Sequence, residues 1–352
     1  MIKEKKFTKV GIIGFGGYVP SYRIRVKEIA KARQKNGEQI VEGLGVKQKA
    51  VAGRDEDAVS LAVEAAWRAL KRSQCKPQDV GAVLVGSESH PYAVKPTGTI
   101  VAEILGIGKE YFCADLEFAC KAGTTGVVMI GAMIEAGLIE CGIAIGADVA
   151  QSRPGDVLEY TAGTGAAAVI LGSKKFKWWA RLERVSSFNS DTADFWRRAG
   201  EDFPEHGGRF TGEPGYFEHV IEGTRRFLGK RKMKIFDQVV LHMPNGKFPR
   251  RAAKRLGVEE RQLETGFLVE EIGNPYSASA MLGLVRVLEE ARKGERLLVT
   301  SYGSGAGSDS LELVLMRKLT NSYKGKGVDL ESQLANTEQI SYTNYLIMRG
   351  LV

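Results

Sequence analysis

The stretch DLEFACKAGTTGVVMIGAMIEAGLIECGIAIGADVA, Asp115 to Ala150, constrains this chain more than any other. Its middle is almost wholly small or apolar, the pattern of a helix buried on all sides. Gly123, Gly126, Gly131 and Gly137 interrupt it, and each glycine costs an exposed helix about 1 kcal/mol relative to alanine. A chain that keeps them gains something from close backbone packing, or from what stands at the helix start. Glu117, Cys120 and Lys121 stand there. The run does not read as a membrane span: Gly126 to Ile134 ends at Glu135, short of the roughly eighteen apolar residues that a crossing needs.

Around it, strand-like and helical patterns alternate. KVGIIGFGGY reads as a strand ending in a glycine turn, DAVSLAVEAAWRALKRS as a helix and QDVGAVLVGSES as a strand. TGTIVAEILG follows as a short helix and KEYFCADLE as a strand, then the helix from Lys121 to Gly137 and two strands, CGIAIGADVA and GAAAVILG. Continuously apolar strands indicate a sheet covered on both faces. A second round begins near residue 215, with GYFEHVIEGTRRFL, IFDQVVLHMP, FPRRAAKRLG, GNPYSASAMLGLVRVLEEARK, ERLLVTSYGSG and SLELVLMR. The echo predicts an α/β protein of two similar halves packed as layers. We place them at residues 1–175 and 176–352, with an inserted loop or cap near 178–215 and a C-terminal tail over 320–352. The apolar ending SYTNYLIMRGLV is expected to offer a docking surface to a partner.

Four cysteines, Cys75, Cys113, Cys120 and Cys141, show no CxxC spacing and no paired histidines. Neither a metal site nor a disulfide framework is expected. The N-terminus carries charges and only a short apolar stretch, so no signal peptide is read there and a cytoplasmic protein is expected. Fifty basic against 42 acidic residues give a net charge of +8, which suits an anionic partner. The basic residues concentrate in KFPRRAAKRLG and GKRKMK, as fitting for phosphates on a small ligand as for a solvated helix face. GFGGY lacks the GxGxxG spacing of a dinucleotide site.

Cys120 falls where a strand gives way to the buried helix. Free N–H groups and the dipole there favour a thiolate and bind a developing oxyanion. On position alone, a small buried hydrophobe is the more common explanation, and His242, Asn274 and Glu88 are what shift it. His242 ends the strand DQVVLHMP, where α/β folds place active-site groups. His206 and His219 read as members of the polar insert and of a surface helix. Asn274 precedes Pro275 at a helix start, a capping arrangement compatible with a catalytic amide. Glu88 ends the strand AVLVGSES; in a cleft with a proton to remove, it becomes a base. SYGSGAGSD turns a hairpin whose N–H groups can serve an oxyanion.

Cys120 before a glycine-rich helix, His242 in HMPNGK, Asn274 in GNPYSAS and then SYGSG resemble the thiolase superfamily. Within it, residues 7 to 318 resemble the archaeal-type hydroxymethylglutaryl-CoA synthases. That resemblance implies a thiolase-like fold of five layers, α-β-α-β-α, and a catalytic set Glu88, Cys120, His242 and Asn274. It implies condensation of acetyl-CoA with acetoacetyl-CoA through an acetyl-Cys120 intermediate, in the mevalonate route to isoprenoids. Glu88 would deprotonate the acetyl methyl group, and His242, as imidazolium, would protonate the new alkoxide. The Cys120 amide and the Gly303, Ser304 and Gly305 turn would hold the enolate oxygen. CoA thioesters are substrates, and no cofactor or metal is implied. Lys247, with Arg250 or Arg251, would hold CoA phosphates. The implied partners are a second copy in a homodimer, an acetoacetyl-CoA thiolase and a small zinc-ribbon/OB-fold protein, with no nucleic acid and no membrane. Thiolases use a second, late cysteine, and none follows Cys141 here. The alternative is a condensing enzyme like ketoacyl-ACP synthase III, for which Glu88 would be incidental.

Overall fold

A computed structural model describes residues 5–150, 152–290, 292–318 and 329–352. The first half runs β1 (Gly11–Tyr18), α1 (Ala58–Lys71), β2 (Ala82–Gly86), β3 (Phe112–Leu116), α2 (Ala122–Glu135), β4 (Cys141–Val149) and β5 (Thr164–Gly172). The second runs β6 (Ala180–Asn189), α3 (Phe217–Leu228), β7 (Gln238–Leu241), α4 (Lys247–Leu256), α5 (Ser279–Glu290), β8 (Arg296–Thr300) and β9 (Gly307–Leu315). The first half orders its strands β1-β5-β4-β2-β3, and the second orders its own β6-β9-β8-β7. Directions match as well: in each half the first three strands of that order alternate, and the next pairs in parallel. Among the described residues, the second half has no counterpart of β3, the strand that leads to Cys120. Two antiparallel residue pairs, Gly11–Arg181 and Ile12–Ala180, join the halves into one ladder.

Three apolar clusters separate the layers. α1 packs Leu61, Ala62, Ala65 and Ala69 onto the outer face of the first sheet. α3 and α4 cover the outer face of the second with Phe217, Val220, Ala252 and Ala253. The largest cluster lies between the sheets and joins Val127, Ile130 and Ile134 of α2 to Met281, Leu284 and Val285 of α5. That is the α-β-α-β-α order. Side chains buried against both sheets stabilise such a helix by about 25 cal/mol per Å² of apolar area removed from water, which outweighs its poor intrinsic propensity.

The glycines of α2 are not equivalent. A Cβ on Gly123 would sit 2.4 Å from Met281 Sδ and 3.0 Å from Gly146 Cα, so α2, β4 and the start of α5 meet there at backbone distance. Gly126 and Gly131 have looser surroundings, with nearest atoms at 3.4 and 3.3 Å.

Three expectations change. β1 continues through GFGGY instead of turning there, because α1 lies against it: a Cβ on Gly16 would meet the Ala65 carbonyl at 2.5 Å. The segment from 178 is not all insert, since Ala180–Asn189 is β6, a central strand; the cap is limited to about 190–215 and holds the small ladder Phe195–Trp196 with Glu205–His206. The apolar ending packs in part on the chain itself, while Ile347 and Val352 stay exposed. Its helix α6 (Tyr342–Met348) buries Tyr345 among Ile24, Val26 and Ile29 of the chain itself, and Tyr342 donates to Glu159 at 2.7 Å. The part of the tail over 320–328 lies outside the described residues.

Candidate active site

Both halves point the C-terminal ends of their central strands at one cavity of about 320 Å³, lined among others by Cys120, His242, Asn274, Tyr276, Tyr302 and Ser304. Cys120 stands in a single 3-10 turn, Ala119–Lys121, ahead of α2 rather than at the α-helix terminus itself. Ala119 has φ +43°, a region that costs a residue with a side chain on the order of 1 kcal/mol. Surrounding structure holds the turn there. Lys121, buried, pairs with the buried Asp309 at 3.0 Å, and Thr124, Thr125 and Ser187 also donate to Asp309. The nucleophile turn is thereby tied to β9, beside the hairpin.

Cys120 Sγ donates to Glu88 Oε1 at 2.9 Å. Glu88 is carried just past the end of β2, and its N–H donates to Asp148 Oδ1 at 2.8 Å. Asp148, fully buried at the end of β4, also accepts from Ser87, Ser89 and the Ser277 N–H. Burial and the neighbouring Asp148 carboxylate push Glu88 up to about 8. Burial and Glu88 raise the Cys120 thiol as well. Desolvation and two acids therefore outweigh the helix dipole, and the resting nucleophile is a thiol hydrogen-bonded to a carboxyl, not the thiolate that its position suggested.

His242 lies at the end of β7, its N–H on Thr300 and its carbonyl accepting from Tyr216 Oη at 2.7 Å. Its ring is buried, with Nδ1 unpartnered among the described residues, and burial lowers it to about 3. Burial of this kind favours the neutral form of the ring. Asn274 Oδ1 accepts from the Tyr276 N–H at 3.0 Å, and its backbone bridges to Ala162 and Gly163. α5 begins four residues after Pro275, so the cap predicted at Asn274 closes a tight turn, with Tyr276 at φ +43°, instead of the helix.

Of the three hairpin residues, Gly303 donates to Gly307 and Gly305 donates to Asp194 at 2.7 Å. Their N–H groups are already used, which corrects the expectation that either serves an oxyanion. The N–H groups of Ser304 and Cys120 have no protein partner among the described residues and form the available pair. Lys247, Arg250 and Arg251 sit on α4, and the cavity is bordered by Phe248 of its first turn and by Pro244 and Asn245 just before it. Arg250 is held by Glu260 and Glu270, and the Arg251 guanidinium covers the Phe217 ring. Lys247 is exposed and makes no ion pair among the described residues.

Sequence reasoning missed several neighbours. His206 lines the cavity and meets Asp156 at 3.4 Å. Tyr302 donates to Asp194, and Tyr276 and Phe195 close one wall. His219, read as a surface residue, is buried against Ser190 and the Gly215 carbonyl. Only Asp148 carried a signal, an acid ending an otherwise apolar strand. Among the described residues no cluster of three His, Cys, Asp or Glu could hold a metal ion, and no helix is long and apolar enough to cross a membrane.

No family model matches the chain. Curated relatives do. A hydroxymethylglutaryl-CoA synthase from Archaeoglobus fulgidus is 52% identical over 314 residues, 89% of this chain and 91% of its own. One from Methanocaldococcus jannaschii is 50% identical over 341 residues, 96% and 98% of the two chains. Among solved structures, an HMG-CoA synthase complexed with CoA superposes with a TM-score of 0.85 at 21% identity, over 96% of this chain and 89% of that one. The 3-oxoacyl-(acyl carrier protein) synthase III of Pseudomonas aeruginosa gives 0.80 at 21% identity, over 89% and 100%. These structural likenesses establish the thiolase-like fold.

Proposed function

The chain belongs to the hydroxymethylglutaryl-CoA synthase family, and from that premise we propose that its two halves divide one condensation between them. The reaction joins acetyl-CoA, acetoacetyl-CoA and water into 3-hydroxy-3-methylglutaryl-CoA and CoA, a step of the mevalonate route. Cys120 attacks acetyl-CoA, its thiol proton leaves with CoA as the departing thiol, and an activated thioester remains on the enzyme. Glu88, ionised, takes a proton from the acetyl methyl group. The enolate oxygen is held by the N–H groups of Cys120 and Ser304. The new carbanion attacks the ketone of acetoacetyl-CoA, which Asn274 and His242 orient. As negative charge grows on that oxygen, the proton affinity of the neutral His242 ring rises, and the alkoxide gains the proton that the methyl group lost.

The observation that carries this reading is the 2.9 Å contact between Cys120 Sγ and Glu88 Oε1 beside a cavity that also holds His242 and Asn274. It favours the synthase over a ketoacyl-ACP-synthase-III-like enzyme, for which a glutamate at that strand end would be incidental. Lys247 is assigned to the CoA phosphates ahead of Arg250 and Arg251, whose charges are engaged. The edge of β3, paired among the described residues only with β2 and carrying the exposed Phe112, supports a homodimer through that edge. The free thiols suit a reducing, cytoplasmic setting. For a complex with a thiolase and a zinc-ribbon/OB-fold protein, the exposed Ile347 and Val352 of the tail remain available as part of a docking surface. The test is thiol release with purified protein: acetyl-CoA plus acetoacetyl-CoA is expected to give the six-carbon product, and activity only with malonyl-ACP would overturn the reading.

A further inference from the structure

Glu88 and Cys120 touch, yet they border different spaces. Cys120 faces the cavity in which His242, Asn274 and the first turn of α4 lie. Glu88 faces a second, more open cleft of about 560 Å³, whose walls include Ala119, His90 and Arg197. Phe195 and Tyr276 belong to both and form the partition. Arg197 is exposed on this cleft and fixed over Glu88: Nη2 donates to the Glu88 carbonyl and Nη1 to the Glu201 carbonyl, each at 3.0 Å. A guanidinium has five N–H donors in a planar fork, so most of its capacity is left over. His90 is held by Thr97 through Nδ1 at 2.8 Å, and its buried Nε2 has no partner among the described residues.

The proposed chemistry needs such a place. After condensation the product is still bound to Cys120 as a thioester, while its CoA arm fills the cavity on the α4 side. Water must therefore reach the thioester carbonyl from elsewhere. Its oxygen bonds to that carbon, the C–S bond breaks, Cys120 regains a thiol proton, and the new acid ionises to a carboxylate with release of one proton. This carboxylate is born beside Glu88, where like charges repel and a cation is needed.

Resting on the Cys120 and Glu88 assignments above, we propose that the cleft beside Glu88 admits the hydrolytic water and receives the product carboxylate, with Arg197 as the carboxylate-binding residue. The entry for CoA and the exit for the carboxylate thus lie on opposite sides of the Phe195–Tyr276 partition.

The test compares two ligands that differ only in the carboxylate, 3-hydroxy-3-methylglutaryl-CoA and 3-hydroxy-3-methylbutanoyl-CoA, as competitors of Cys120 acetylation in the full chain. Wild-type protein is expected to prefer the carboxylate form by about tenfold or more, the scale of a charge-assisted contact. This first comparison needs no variant, and equal affinities would overturn the proposal. Arg197→Met is expected to erase the preference by weakening only the carboxylate form, with partial recovery in Arg197→Lys. A preference that survives Arg197→Met, or equal weakening of both ligands, would overturn it as well. Wild-type protein that makes no six-carbon product would instead sink the underlying functional reading, so the two failures are distinguishable.

Discussion

The two halves share a strand order but not a chemistry. The first presents acids and a thiol, Glu88, Cys120 and Asp148, packed so closely that Glu88 and Cys120 are driven toward their protonated forms. The second presents neutral donors, His242, Asn274 and the Ser304 N–H. In the proposed reaction, the duplicated scaffold would put proton abstraction and nucleophilic attack on one side of the cavity and the electrophile's holding groups on the other. The strand β3, without a counterpart among the described residues of the second half, leads to Cys120.

Breaking the first half should cost most. Cys120→Ser is expected to lose about 10³-fold or more in turnover, the scale seen when a covalent nucleophile is removed, with no acetyl adduct by intact-protein mass spectrometry. Breaking the second half should cost less and later: His242→Ala is expected to acetylate but to condense about 10²–10³-fold more slowly, the range for loss of an oxyanion donor. Stopped-flow thiol release followed by product analysis separates the two steps. The seam between halves should respond in stability before chemistry. Gly146→Ala would place a Cβ 2.4 Å from the Ser277 carbonyl, and overpacking of this kind costs about 1–3 kcal/mol; urea unfolding measures it.

The smallest effect sharpens the contrast through pH. Glu88 rises from an ordinary 4.5 to about 8 in the folded protein. Below 4.5 both states hold the proton. Between those values the unfolded chain releases it and the folded protein keeps it, so the stability this group contributes falls as pH rises and levels above about 8. Glu88→Gln removes that loss. Its melting temperature is expected to exceed that of wild type by an amount that grows from pH 5 to pH 8, and a constant difference across that range would contradict the burial argument.

Much of this was legible in the sequence for physical reasons. Apolar runs reported strands covered on both faces, and the repeated order reported two halves. Glu88 and His242 follow strand ends and Cys120 precedes α2, where a motif survives in one dimension, whereas Asn274 closes a tight turn ahead of α5. What failed was burial and partnership. Nothing local to GFGGY says that α1 lies against it, so the glycines read as a turn. The aromatic, glycine-rich segment from Trp178 hid β6, whose partners are more than a hundred residues away. The dipole at Cys120 was visible, whereas the opposing desolvation and the acids that raise its thiol were not. The same blindness to partnership left the Gly303 and Gly305 N–H groups apparently free.

The central claim is that Glu88 is the base for the acetyl methyl proton while Cys120 carries the acetyl group. Glu88→Gln incubated with labelled acetyl-CoA and then with acetoacetyl-CoA tests it most directly. Near-stoichiometric label on Cys120, with product formation reduced about 10²–10⁴-fold, is the outcome expected for loss of a general base. Condensation at the wild-type rate from the acetylated variant would contradict it.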